Sequence, residues 1–146
     1  MNKIKVFSIL FFVSILFCGC VRSDYGVSIA AQIVNNSYES VTVVYLQKVA
    51  QKEKEVVLMP GDKFIISQVD FWSTKDIDFR DNPDSFAYWS GKLAYEMPSF
   101  VKFIFEDGRV YEYFSYSQAE SNPTRLSSYT FSEDLRNCYY NIVDTQ

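Results

Sequence analysis

The stretch that decides the fold is Phe100-Val-Lys-Phe-Ile-Phe-Glu-Asp-Gly-Arg-Val-Tyr-Glu-Tyr-Phe114. Two runs of β-branched and aromatic residues flank Asp107-Gly108, which is a strong short-range signal for a β-hairpin. A two-residue turn pairs Phe105 with Val110, whereas a bulged turn shifts the register by one residue. In the two-residue register Glu112 is the misfit on an otherwise apolar core face. That face carries Val101, Phe103, Phe105, Val110 and Phe114.

Other short runs with strand character recur along the chain, separated by turn residues. Residues 27–34 alternate apolar and polar, which indicates a half-buried strand. Residues 41–49 are almost continuously apolar, which suits a central strand covered on both faces. Pro60-Gly61 fits the central positions of a type II turn. Further strands are predicted over 55–59, 63–71, 125–131 and 138–143.

No run shows a convincing amphipathic helix, so the pattern predicts an all-β antiparallel sandwich or barrel. A sandwich hides both apolar faces, and we place it over residues 27–146.

The segment from Trp72 to Pro98 interrupts this rhythm of strands and turns. It contains Asn82-Pro83 and several aromatic residues, and a short strand is possible around 86–89. Connections of this length usually have partial structure or a function of their own. The segment is therefore the part of the domain that we expect to carry function.

The N-terminal residues have the organisation of a bacterial export signal. Lys3 and Lys5 precede an apolar run from Val6 to Phe17, which is the length of a signal-peptide core and too short to span a bilayer. Gly19-Cys20 ends this run. We therefore predict a signal peptide over 1–19, and a lipid anchor and tether over 20–26. The alternatives are an ordinary secretory signal and a buried N-terminal helix.

Composition excludes several classes of function. The formal net charge is −4, so the chain has no electrostatic footprint for nucleic acid. It contains no His, which removes the usual general base and the commonest transition-metal ligand. Cys138 has no partner for an intrachain disulfide if Cys18 is removed with the leader and Cys20 is acylated. We interpret Cys138 as a small buried hydrophobic residue.

Acidic side chains are dense within the long connector. Carboxylates at such a density in a loop can hold Ca²⁺, although Arg80 stands where an EF-hand requires a ligand. The alternative is a solvated acidic loop, and no cofactor is predicted for this protein. The calcium candidates are Asp76, Asp78, Asp81 and Asp84.

Aromatic side chains in the same connector form the candidate binding surface. Flat rings with polar edges bind sugars or partner chains, and an exposed apolar patch usually marks an interface. The alternative is that the rings, with Phe86, fill the core. The candidate residues are Trp72, Tyr88, Trp89 and Tyr95. Glu112 on a core face is the other oddity, because a buried carboxylate with a raised pKa is a catalytic candidate.

Several features together carry a resemblance to a known family. They are the leader ending at Cys20, the strand end Ile33–Ser37, the turn Val57–Gly61, the hairpin Phe103–Gly108, the pair Asn122-Pro123 and the closing strand Cys138–Ile142. In this order and spacing the chain resembles the small Ig-like lipoproteins of unknown function from Bacteroidota. The resemblance implies an Ig-like β-sandwich on a lipid anchor, with Cys20 carrying fatty acyl (palmitate) groups. It implies no catalytic residues.

The sequence therefore leads to one functional hypothesis and two rivals. The leading hypothesis is a non-catalytic binding or envelope-structural module, lipid-anchored to the outer (or inner) membrane and either periplasmic or surface-exposed. Its partners would be the membrane and a glycan or envelope protein. The rivals are a carboxylate-dependent glycan hydrolase and a subunit of a larger surface assembly.

Overall fold

The computed structural model describes residues 25–144, which form two β-sheets and one α-helix. The strands are β1 (Tyr25–Asn35), β2 (Val41–Gln47), β3 (Lys52–Leu58), β4 (Lys63–Ser73), β5 (Phe100–Phe105), β6 (Val110–Phe114), β7 (Thr130–Phe131) and β8 (Asn137–Ile142). The helix, α1, spans Pro83–Glu96 between β4 and β5. The first sheet has the order β4-β1-β8-β7 and the second the order β3-β2-β5-β6. The predicted two-layer β architecture is confirmed at this level, with the helix as an addition to it.

One strand pair departs from the predicted antiparallel arrangement. β1 is antiparallel to β4 but parallel to β8, with Ile33 opposite Tyr140. After β6 the chain crosses back to the first sheet and enters it through the short strand β7. The β7–β8 hairpin then reverses the chain, so that β8 runs in the same direction as β1. The first sheet is therefore mixed.

The core lies between the sheets and is built from alternate residues of the central strands. Ile29 and Ile33 of β1, Val43 of β2 and Phe103 of β5 are almost completely buried. The predicted alternation of β1 is therefore confirmed on its inner face. β2 is central, as predicted, but within residues 25–144 no further layer covers its outer face, where Val44 is only half-buried. The outer face of the second sheet is consequently an open surface.

The β5–β6 hairpin has the bulged register, so the two-residue turn was wrong. The amide of Phe105 donates to the carbonyl of Arg109 over 2.9 Å, and Ile104 pairs with Val110. The loop therefore contains three residues, and of these only Gly108 has a positive φ, at 90°. This is the type I turn followed by a left-handed glycine that commonly closes three-residue hairpins. The shift places Val110 on the outer face and turns Tyr111 and Tyr113 toward the core.

The tight turn between β3 and β4 follows its prediction. The amide of Asp62 donates to the carbonyl of Met59 over 2.9 Å, with Pro60 and Gly61 between them. Gly61 has a φ of 86°, the positive value that the third residue of a type II turn requires. The turn also docks on the end of β1, because the Gly61 amide donates to the Asn35 carbonyl over 2.7 Å.

The connector contains a helix that the sequence pattern did not reveal, so the expectation of no helix and of a strand near 86–89 was wrong. Pro83 begins α1, where its missing amide hydrogen costs nothing. The inner face packs Phe86, Trp89 and Leu93 against the sandwich. These residues have helical spacing, but Tyr88 and Tyr95 on the outer face obscured the apolar stripe. The helix closes the end of the sandwich at which β1 begins.

The segment predicted as a strand over 125–131 is mostly not extended. Leu126–Ser128 form one turn of 3-10 helix, and only Thr130–Phe131 pair with β8. Asn122 organises the chain before this turn: its side-chain amide donates to the carbonyls of Phe114 and Ser117. These local side-chain hydrogen bonds compete with strand pairing, so the strand begins at Thr130, five residues later than predicted.

Candidate functional site

The open outer face of the second sheet carries a groove lined by aromatic and acidic side chains. Phe100 and Phe114 lie opposite each other on β5 and β6, with ring centroids 4.9 Å apart. Tyr116 extends the row, stacked on Phe114 at 5.2 Å with planes inclined by 18°. Tyr116 is 77% exposed, so the row faces solvent. The groove has a volume of about 410 Å³ and is also lined by Glu53 and Glu112.

Glu112 belongs to this groove and not to the core. The bulged hairpin register places it opposite Lys102 on the outer face. The Lys102 ammonium lies 3.1 Å from the Glu112 carboxylate, and the Glu112 side chain is 47% exposed. The expectation of a buried carboxylate was therefore wrong, because it depended on the two-residue turn. Glu112 instead contributes a paired, solvated carboxylate to the wall of the groove.

Sequence reasoning missed this groove because its residues come from separate strands. Leu46 of β2 and Glu53 of β3 are neighbours of Phe100 and Phe114 only through strand pairing. The spacing along the chain contains no signal that unites them. The alternation within β5 was the available signal, because it places Phe100 on the face opposite to the core.

The four predicted aromatic residues of the connector do not form one surface. Trp89 is half-buried and stacks on Phe71 of β4, with ring centroids 3.9 Å apart. Trp72 is 78% exposed near the end of β4, where its ring lies over Gly26. Tyr88 and Tyr95 are also exposed, on the outer face of α1. Trp89 thus belongs to the packing of the helix, and the other three rings remain available to a partner.

The predicted acidic cluster is divided among separate partners. Asp76 is paired with Arg136 at 2.7 Å. Asp78 is paired with Arg80 at 2.5 Å, and hydrogen bonds from that arginine lower the pKa of Asp78 to about 2. Asp81 and Asp84 are exposed. Within residues 25–144 no three acidic, Cys or His side chains come together in a way that could hold a metal ion.

Cys138 is completely buried on the inner face of β8. Its Sγ atom lies 3.6 Å from the carbonyl oxygen of Ala30. Burial raises the pKa of the thiol to about 12, so the thiolate form is strongly disfavoured. This environment agrees with the interpretation of Cys138 as a small hydrophobic core residue.

The predicted lipidation site, Cys20, lies outside the described residues, which begin at Tyr25. Within the described part of the chain, no helix is long and apolar enough to cross a membrane. Comparison of the chain with protein-family models, curated proteins and solved structures found no match.

Proposed function

We propose that this protein is a lipid-anchored module of the bacterial cell envelope that binds a glycan without catalysis, through the groove on its second sheet. The observation that carries the proposal is the row formed by the half-buried Phe100 and Phe114 and the exposed Tyr116, beside two carboxylates. The Ig-like, acylated lipoprotein inferred from the leader and the strand pattern provides the setting.

Carbohydrates suit this combination of side chains. Aromatic rings present an apolar face that packs against the C–H groups of a sugar ring. Ionised carboxylates accept hydrogen bonds, and sugar hydroxyls donate them, so Glu53 and Glu112 complement the polar edge of a sugar. The groove is open, and its volume falls within the range of about 300–1,000 Å³ that is usual for small-molecule sites.

The rigidity of the sandwich supports a binding role. The rings belong to paired strands or lie directly after one, so little side-chain and backbone freedom remains to be lost on binding. An anchor at Cys20 would hold such a site at the envelope, where glycans are abundant.

Glycan binding is tested with the full chain and a panel of soluble oligosaccharides. Tyr116→Ala removes an exposed ring and is expected to weaken binding about tenfold or more, the effect of losing one aromatic anchor. Tyr38→Ala is the matched control, because Tyr38 is 94% exposed in the loop between β1 and β2. The proposal is contradicted if no oligosaccharide binds, or if both variants weaken binding equally.

A glycan hydrolase is the second candidate, because Glu53 and Glu112 line the same groove. Glycoside hydrolysis usually requires two carboxyl groups, one of which acts as a general acid. A general acid is commonly kept protonated by apolar surroundings, whereas Glu112 is exposed and paired with Lys102. Turnover of a bound glycan that disappears in Glu112→Gln would favour the hydrolase. Binding without turnover would favour the non-catalytic module.

The anchor is tested separately. Cys20→Ala is expected to abolish fatty-acid labelling and to release the protein into the soluble fraction. Persistent labelling in that variant would contradict acylation at Cys20.

A further inference from the structure

One end of the sandwich is rich in exposed aromatic rings. β1 begins at this end and β4 finishes there, with Gly26 opposite Trp72. The turn between β2 and β3, which includes Lys48, lies at the same end, and α1 closes it. The antiparallel pairing of these strands sets this arrangement. The exposed rings are Trp72, Tyr88 and Tyr95.

Lysines accompany two of these rings. The Lys48 ammonium lies 4.3 Å from the centroid of Tyr95, and the Lys92 ammonium lies 5.5 Å from the centroid of Tyr88. Trp and Tyr, with an apolar body and a polar edge, are enriched where proteins meet the headgroup region of a membrane. Long lysine side chains cover apolar surface while their charge stays near water and lipid phosphates.

The short length of chain between the predicted anchor and β1 also favours the membrane as the partner of this end of the sandwich. Four residues lie between Cys20 and Tyr25 at the start of β1, so five Cα–Cα steps join them. Even fully extended, that length spans at most about 18 Å. An acylated Cys20 would therefore hold this end of the sandwich, and not the opposite one, beside the bilayer.

We infer that the ring-bearing end of the sandwich rests on the membrane surface, with Trp72, Tyr88 and Tyr95 in the headgroup region. The inference rests on the lipid anchor of the proposed function. It gives the domain a preferred orientation. The outer face of the second sheet then stands beside the membrane instead of under it, and the groove lies at the end of that face nearest the bilayer, beside the turn that includes Lys48.

The contact depends more on the rings than on net charge. Asp84 lies on the exposed side of α1 with Tyr88 and Lys92, so the helix presents both signs of charge. The headgroup region accommodates the amphipathic rings whatever the lipid charge. We therefore expect contact with zwitterionic as well as anionic bilayers.

Tryptophan quenching tests the orientation. The full-length acylated protein is reconstituted into phosphatidylethanolamine–phosphatidylglycerol vesicles that contain a lipid brominated close to the headgroup. Three proteins are compared: wild type, Trp72→Phe, and the double variant Trp72→Phe/Tyr38→Trp. Trp89 is present in all of them. The double variant moves the exposed indole to the opposite end of the sandwich, because Tyr38 lies in the loop after β1.

The fluorescence of Trp72, obtained as wild type minus Trp72→Phe, is expected to fall about twofold in brominated vesicles, as for an indole at the interface. The indole at position 38 should be unaffected. Equal quenching at both ends, or none at Trp72 in protein that floats with the vesicles, would overturn the orientation and leave the anchor standing. Wild-type protein that carries no fatty acid and fails to float would overturn the anchor itself, and the inference with it.

Discussion

The indole of Trp89 stacks on the ring of Phe71, with centroids 3.9 Å apart and planes inclined by 5°. This contact joins the inner face of α1 to β4, so the connector between the sheets is part of the folded domain. Phe71 also contacts Phe79, whose ring is almost completely buried. The stack thus links the helix to the core, and the exposed ring of Tyr88 meets Trp89 edge-on, with centroids 5.0 Å apart.

Trp89→Ala is expected to lower the free energy of unfolding by about 2–4 kcal/mol, because it removes a large, partly buried ring from a packed contact. Trp72→Ala is the matched control. Trp72 is largely exposed, and its loss should change stability by about 0.5 kcal/mol or less. Urea unfolding followed by far-ultraviolet circular dichroism measures both. Equal midpoints for the two variants would show that α1 is not held by this stack.

Gly108→Ala is expected to destabilise the domain by about 1–2 kcal/mol, since a left-handed backbone is costly for any residue with a Cβ atom. Gly91→Ala is the control: neither glycine has a neighbour within 4 Å of the added atom, but Gly91 lies within α1. That change should stabilise the helix by about 0.5–1 kcal/mol. Thermal unfolding distinguishes them, and a stabilising Gly108→Ala would contradict the hairpin geometry.

Asn35→Ala is expected to destabilise the domain by about 2–4 kcal/mol, because several hydrogen-bonding groups would lose their partner. The buried side chain of Asn35 donates to the carbonyls of Glu39 and Leu58 and accepts two bonds from Ser37. Asn36→Ala is the control, with a single exposed side-chain bond. Chemical denaturation of the pair measures the difference, and similar losses would contradict the role assigned to Asn35.

Stability is expected to fall in alkaline solution. Burial raises the pKa of Cys138 to about 12 and that of Tyr113 also to about 12. The unfolded chain releases these protons at lower pH than the folded chain, near the ordinary values of 9.0 and 10.0. Each group therefore favours folding fully below its ordinary pKa, and this contribution is lost as the pH rises toward the folded value.

The contribution of Cys138 is measured by comparing wild type with Cys138→Ala. Unfolding midpoints at pH about 8 and about 10.5 should differ more in wild type than in the variant, because only wild type has the thiol to ionise on unfolding. An equal loss in both proteins would show that Cys138 does not contribute. Ionisation of Tyr113, whose pKa does not depend on Cys138, affects both proteins alike and cancels in the comparison.

Local patterns in the sequence predicted most of the strands, although not the 3-10 turn within 125–131 or the helix in the connector. The alternation in 27–34 and the apolar run after residue 41 correspond to β1 and β2, and Pro60-Gly61 forms its predicted turn. These features depend on backbone preferences and on a burial period of two, both of which act between neighbours in the chain. The two-layer arrangement followed because strands of this kind must bury their apolar faces.

The tertiary structure alone decided the features that depend on distant contacts. The loop between β5 and β6 contains three residues instead of the predicted two, and this difference placed Glu112 beside Lys102. Strand pairing brought Glu53 to the same groove. The helix was not predicted because its exposed rings lie between the apolar residues of the inner face, so that the helical spacing of those residues was not evident. Register and the neighbourhood of separate strands result from the packing of the whole core. The sequence determines that packing, but its local patterns do not reveal it, because burial at each position depends on every element that packs there.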